Sequence, residues 1–559
     1  MGYELAFSTH CKLYIQHLSS GSHHNPMELT GLHLPPSSVH SRFVPTAEDQ
    51  TSIRKNIQQI ESTVGSVENE IIRLRRSLTE LEDYRDQLYD NLTRHQAVLS
   101  PVRKIPPEIL AEIFLHAAEG SSVVWPRQNG SIEMPMLLGR ICSYWRTITL
   151  SLPLLWSDIR LDLPYGHEAA GGIKTTCTAV QDLVDTCLSR SGNTLLSFSI
   201  TADGPHGLIT DLLQAFVKHS SRWRDASIDL ARLSRYHQTL LPAQGSVPNL
   251  YRLHLGTSAK DPLAPSILDA FRVSPSLKEL SISYLTRPFH ILRVPWDQLT
   301  HLTSKMSTFR EGEFSEILRH ATNLVVFSTE GERILEVTSS QPVLLPHLQK
   351  LAIVNKGSYI TKSFHFFTAP NLKELYLHAI TPFNPEQTIA MLTRSNCQLT
   401  HLTLHSSQEV DAVWEENFGI ARLLGCVPSL VHLHLTVLKS GDDLIHRLGL
   451  HSNVLPQILP NLECFMLEDG FCVSAYSLAE VLRSRINSLN PTAVMDKQVQ
   501  PRSSLSPGLR RVRLKLSLPP PPKFAELDNL KGFAEHHGVD IAIQTSGWLP
   551  FFLFFSSCT

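Results

Sequence analysis

The chain has 559 residues, enough for roughly three to four domains at about 150 residues each, or for a repeat array. A 42% hydrophobic content supports a large core and excludes wholesale disorder, collagen and a coiled coil along the whole length. With 50 Lys and Arg against 52 Asp and Glu, the net charge is −2 and no basic excess exists to hold a phosphate backbone, so nucleic acid is not an expected partner.

Residues 1–50 are rich in Ser, His and Pro, lack sustained periodicity and read as a flexible leader. The first residues carry no apolar stretch behind a basic start, so no secretory signal is expected, and Ala6 breaks the myristoylation pattern. From residue 51 to 99 no proline interrupts an alternating 3–4 spacing of apolar residues: Ile57, Ile60, Val64, Val67, Ile71, Leu74, Leu78, Leu81, Leu88 and Leu92. That is a heptad with 57 as a and 60 as d, broken at one a position by Arg85. Glu70 at g and Arg75 at the following e suit a parallel pair. Two readings fit, a two-stranded coiled-coil homodimer or one long helix lying back on the next domain.

Residues 100–160 form a compact, all-helical expectation. Pro106-Pro107 precedes Glu108 as at a helix start, and Ile109, Leu110, Ile113 and Phe114 make an apolar stripe. After a polar connection (Gly120–Pro135), residues 137–148 repeat Leu137, Leu138, Ile141, Cys142, Trp145 and Ile148 at helical spacing. Cys142 on that stripe is expected to be a buried, inert thiol.

The strings VRKIPPEILAEIFLHAA and LLGRICSYWRTITLSLPLLWSDI resemble an F-box, in the form common among fungal F-box proteins that carry leucine-rich repeats. The resemblance covers about 60 residues and implies docking to a Skp1-type adaptor, and through it to a cullin. Carried over residue by residue, the implied adaptor contacts are Pro106, Pro107, Ile109, Leu110, Ile113, Phe114, Ile141 and Trp145.

Beyond residue 170 LxxLxL-like strings recur, mostly introduced by Pro or Asn: PNLYRLHL, PSLKELSI, PHLQKLAI, PNLKELYL, QLTHLTL, PSLVHLHL, PNLECFML and PGLRRVRL. Leading positions 195, 223, 250, 277, 299, 324, 348, 372, 399 and 430 are 22 to 31 apart. This predicts a degenerate leucine-rich repeat solenoid with parallel strands over 170–545, an α/β fold; an unrelated parallel α/β layer is the alternative. Returning segments such as Pro265–Val273 and Asn384–Thr393 are expected to be helical, and Phe524–His537 with Val539–Gln544 to close the array. A polar insertion is expected over 486–523. The final residues 546–559 hold WLPFFLFF, too short to span a bilayer, and no membrane association is expected.

No phosphate-binding, dinucleotide, nucleophile-elbow or zincin motif occurs, so neither catalysis nor a cofactor is expected. The nine cysteines include no CxxC pair, which points to reduced thiols in cytosol or nucleus. His401, His432 and His434 are the best metal candidates, but solvent-facing polar positions on a strand surface explain them better, and no metal is expected. As residues that precede or separate the two leucines of an LxL pair, Arg252, His254, Glu374, Tyr376, His401, His432 and His434 are expected on a concave face that holds a target protein. The expectation is a non-catalytic substrate receptor of a cullin-RING ubiquitin ligase; the alternative is a coiled-coil and repeat scaffold without a ligase role.

Overall fold

The computed structural model describes residues 44–125, 133–163, 173–202, 206–257, 267–307, 309, 313–331, 342–355, 367–379, 385–406, 417–436, 442–449, 458–468, 475–487, 508–516 and 525–545. The chain divides into two units, Met1–Pro106 and Pro107–Thr559. The hydrophobic tail and most of the leader lie outside the described residues.

In the first unit, helix α1 runs Ala47–Leu99. It starts inside the span expected to be leader, because Thr46 and Asp49 form a capping box: Asp49 N donates to Thr46 Oγ1 at 3.3 Å and Thr46 N donates to the Asp49 carboxylate at 3.0 Å. Ser100-Pro101 ends it, since the residue before proline is pushed out of helical geometry. No residue of α1 is buried.

The second unit opens with α2 (Pro107–Ala117), β1 (Val123–Trp125), α3 (Met134–Ile141) and α4 (Ser143–Leu150). Two expectations are corrected here. The segment is not all-helical, because Val123-Val124-Trp125, β-favouring residues inside the supposed connection, pair in parallel with residues Ile159, Arg160 and Leu161. Nor is 137–148 one helix: Cys142 is extended (φ −157°, ψ 169°), and its Sγ accepts the Trp145 N–H at 3.4 Å as the N-cap of α4. Cys142 is therefore half-buried at a break rather than buried on a stripe.

The strands continue with β2 (Asp158–Leu163), β3 (Leu196–Ala202), β4 (Trp223–Leu230), β5 (Arg252–Gly256), β6 (Glu279–Ser283), β7 (His301–Lys305) and β8 (Val326–Gly331). Next come β9 (Val343–Leu344), β10 (Lys350–Asn355), β11 (Phe367–Thr368), β12 (Glu374–Ala379), β13 (His401–Ser406) and β14 (His432–Thr436). The last are β15 (Cys464–Glu468), β16 (Arg511–Leu516) and β17 (Asp540–Thr545). Fifteen of them form one sheet in chain order, while β9 and β11 pair separately; every pairing is parallel. Among the described residues the strand order never reverses, so these strands form no switch-point crevice of the doubly wound kind and make a solenoid-like α/β array.

Parallel neighbours need a return segment, and several returns are helices that pack on one another in sequence: Pro385–Ser395, Asn417–Gly425, Asp442–Leu448, Ala475–Asn487 and Ala525–His536. The return at 267–273 is not helical; Leu268 bridges Leu292 instead. The insertion over 486–523 is also corrected, since residues 511–516 are β16 within the main sheet. RVRL alternates polar and apolar as a strand requires, with Val512 and Leu514 buried.

Each LxxLxL-like string contributes three apolar residues to the core, leucine in most positions. The leading residue sits in the turn before the strand, and Leu250, Leu277, Leu299, Leu324, Leu348, Leu372, Leu399 and Leu430 are all fully buried. Strand positions two and four point the same way, as Leu402 and Leu404 or Leu433 and Leu435 do. The preceding Asn or Ser ties one repeat to the last. Asn249 Nδ2 donates to Ser221 O (2.8 Å), Asn323 to Asp297 O (2.7 Å), Asn371 to Pro346 O (2.6 Å) and Asn461 to Pro428 O (3.1 Å). Ser276 and Ser429 do the same through hydroxyls, at 2.6 and 2.8 Å. Among the described residues, no helix is long and apolar enough to cross a membrane.

Candidate protein-binding surfaces

Helix α2 presents two faces. Successive residues turn about 100°, so Leu110 and Phe114 share one side and Ile109 and Ile113 another. Leu110 and Phe114 are core, with the Phe114 ring 4.7 Å from that of Trp145. Ile109 and Ile113 are 52% and 46% exposed. On α3, Pro135 and Leu138 are buried while Leu137 and Ile141 are exposed. Of the expected adaptor contacts, Pro106, Pro107, Ile109, Ile113 and Ile141 are thus exposed and Trp145 is half-buried. Leu110 and Phe114 are withdrawn from that set, because their side chains pack inward. The Trp156 indole N–H donates to Thr149 O at 3.0 Å, which ties the end of α4 to the turn after it. The Arg190 guanidinium lies 4.5 Å from the Trp156 ring centre and joins that turn to the helix Ile173–Arg190.

The open face of the sheet carries strand positions one, three and five, and parallel register places equivalent positions side by side. Arg252 Nε donates to Glu279 Oε2 at 2.6 Å and also lies 3.8 Å from Asp225. His254 Nδ1 and Ser281 Oγ are 2.9 Å apart. Lys350 Nζ is 3.2 Å from Glu374 Oε2, Glu374 is in register with His401, and His401 with His432. The His401 and His432 rings stack with centres 4.1 Å apart and planes 6° from parallel. All seven expected target-facing residues, Arg252, His254, Glu374, Tyr376, His401, His432 and His434, lie on this face, half-buried or exposed.

Burial, and then the neighbouring His401, holds His432 below the usual imidazole range, and burial does the same to His254. Burial together with Glu468 and Glu330 raises the Tyr376 phenol. His434 Nε2 lies 3.5 Å from Glu468 Oε1, an ion-pair distance rather than a good hydrogen bond, and this neighbour holds the Glu468 carboxyl below its usual range.

His378 and His405 belong to the same surface, their ring centres 4.0 Å apart, yet the sequence strings missed them. Each stands two residues beyond an LxL middle position, so extending the alternation one more step finds them. A groove of roughly 320 Å³ beside the Asn ladder, lined by Lys278, Gln298, Thr300, Asn323, His347 and Asn371, also escaped notice.

Metal chemistry gains no support from this arrangement. His401 and His432 are adjacent, but His434 faces Glu468, and no group of three His, Cys, Asp or Glu among the described residues is placed to hold a metal ion. Burial raises the Cys187 thiol to about 12 and raises Cys397 and Cys464 as well, away from a reactive thiolate.

No protein-family model matches the chain, and no curated protein matches it.

Proposed function

We propose that this chain is a non-catalytic substrate receptor of a cullin-RING ubiquitin ligase, in which an F-box-like segment binds a Skp1-type adaptor and a leucine-rich repeat array holds a target protein. The observation that carries the reading is the pair Ile109 and Ile113, two isoleucines about half-exposed on a helix whose opposite side is locked into the core. Exposed aliphatic side chains on so well-anchored a helix suit a protein contact. The mixed charged and imidazole face of the array, distant in sequence, offers extended area for a second protein. Ubiquitin transfer would then come from proximity supplied by the partners.

Co-purification of the whole chain with a Skp1-type adaptor tests this. The whole chain is required, because β1 and β2 belong to the main sheet and a fragment ending near residue 165 would cut β2 from β3. A stoichiometric complex that the Ile109→Asp, Ile113→Asp variant loses is the expected result; a folded chain with no adaptor bound sinks the reading.

A second reading is an interaction scaffold with no ligase role. It is favoured by β1, which builds the F-box-like segment into the array. Adaptor binding separates the two.

A further inference from the structure

Helix α1 has 53 residues, about 80 Å at 1.5 Å per residue, and none of them is buried. Its seam residues Ile57, Ile60, Val64, Val67, Ile71, Leu74, Leu78, Leu81 and Leu92 are 38% to 57% exposed. Scattered single aliphatics on a surface need no explanation, but a continuous stripe does. The period of that stripe is 3.5 rather than 3.6, which suits a second helix supercoiled along the same seam.

We infer that two copies of this chain pair through α1, in parallel and in register. The unpartnered seam calls for a matching seam, which a second copy supplies, and charge favours the direction. In a parallel pair, g positions face e positions five residues on. The flanking contacts are then Asn56 with Glu61, Thr63 with Glu68, Glu70 with Arg75, and Ser77 with Glu82, one attraction and no repulsion, which leaves Arg85 against its own copy at a as the single like-charge contact. In an antiparallel pair overlapped over the same length, e positions face e positions. Glu68 then meets Glu82 twice and Arg75 meets its own copy, three like-charge contacts. β-Branched Ile57, Val64 and Ile71 hold three of the six a positions and Leu74, Leu81 and Leu88 three of the five d positions, the combination that favours two parallel strands, whereas Ile60 and Val67 at d and Leu78 and Leu92 at a depart from it.

Glu70 already accepts from Arg73 Nε and Nη2 at 2.8 and 2.7 Å, so the interhelical contact with Arg75 would share that carboxylate and adds little strength. Arg85, at an a position, meets its own copy only in the parallel register. Its Nε donates to Asp86 Oδ1 at 2.9 Å. A polar a residue of this kind costs stability and fixes register.

The pairing does not depend on the ligase reading, since it concerns only α1. The test uses the whole chain. Sedimentation equilibrium is expected to give twice the chain mass, and Ile71→Asp, Leu74→Asp to halve it with the rest of the circular dichroism intact. Under mild oxidation, Ile60→Cys is expected to yield a peptide linked through position 60 of both chains, identified by mass spectrometry. A mixture of Ile60→Cys and Leu92→Cys chains should not link 60 to 92. A single-chain mass for the unsubstituted protein, a dimer that survives the double aspartate variant, or a 60-to-92 link in place of the 60-to-60 link would each overturn the proposal.

Discussion

Arg485 is a charged residue with 4% exposure, and its guanidinium donates to the carbonyls of Leu448, Ile458 (2.6 Å) and Leu459 (3.0 Å). Burial lowers its pKa to about 10, so it keeps its charge at neutral pH. Its fork closes the end of the helix Asp442–Leu448 and holds Leu459, whose φ of +57° is the left-handed conformation that a branched side chain resists. Arg485→Met should therefore lower unfolding stability by about 3 kcal/mol in urea titration, because several acceptors lose their donor in a dry site. Arg485→Lys should recover only part of that, lacking the planar fork. The ladder amides make smaller, repeated contributions, and Asn371→Ala should cost about 1 kcal/mol by the same measurement. His254 and His432 set a pH dependence. Both are held below the ordinary 6.5, so an unfolded chain takes up protons there before the folded one does. Stability is full above about pH 6.5 and falls as the pH drops below it. Replacing both with Gln should flatten thermal stability between about pH 6.5 and 5; an unchanged slope contradicts the assignment.

At the scale of elements, α2 separates packing from contact within a single turn. Ile109→Asp replaces an exposed side chain and should change stability by no more than about 0.5 kcal/mol, whereas Phe114→Ala empties a site under Trp145 and should cost about 3–5 kcal/mol. Paired denaturation curves of the two variants distinguish these roles. The periodic signal alone could not, because Ile109, Leu110, Ile113 and Phe114 are equally apolar and only the surrounding chain decides which pair faces inward. Strand positions were legible from the sequence for the opposite reason: LxxLxL specifies burial residue by residue, and its register put all seven expected residues on the open face. The remainder was hidden by one local cap and by contacts between residues far apart in the chain. The break at Cys142 depends on a thiol capping Trp145 N–H, which helical spacing cannot reveal, and β1 has three residues that pair only because β2 lies alongside. The function of Asn249, Asn323 and Asn371 was equally hidden, since each acts on a carbonyl about 25 residues away.

At the scale of the molecule, the array offers surfaces of different character. Its open face is a run of paired charges and imidazoles, from Asp225, Arg252 and Glu279 to Lys350, Glu374, His401 and His432. Much of such a surface is already paired in the free chain, so a target must exchange these pairs for its own, which favours specificity over strength. The helical end instead leaves aliphatic side chains bare at Ile109, Ile113, Leu137 and Ile141. In the receptor reading the second surface takes the adaptor and the first remains free for the target. Hydrogen exchange of the whole chain, with and without a Skp1-type adaptor, tests that division most directly. Exchange is expected to slow within 107–117 and 134–145 and to stay unchanged in the strands 374–379, 401–406 and 432–436. Protection confined to those strands, or none anywhere with both proteins folded, would contradict it.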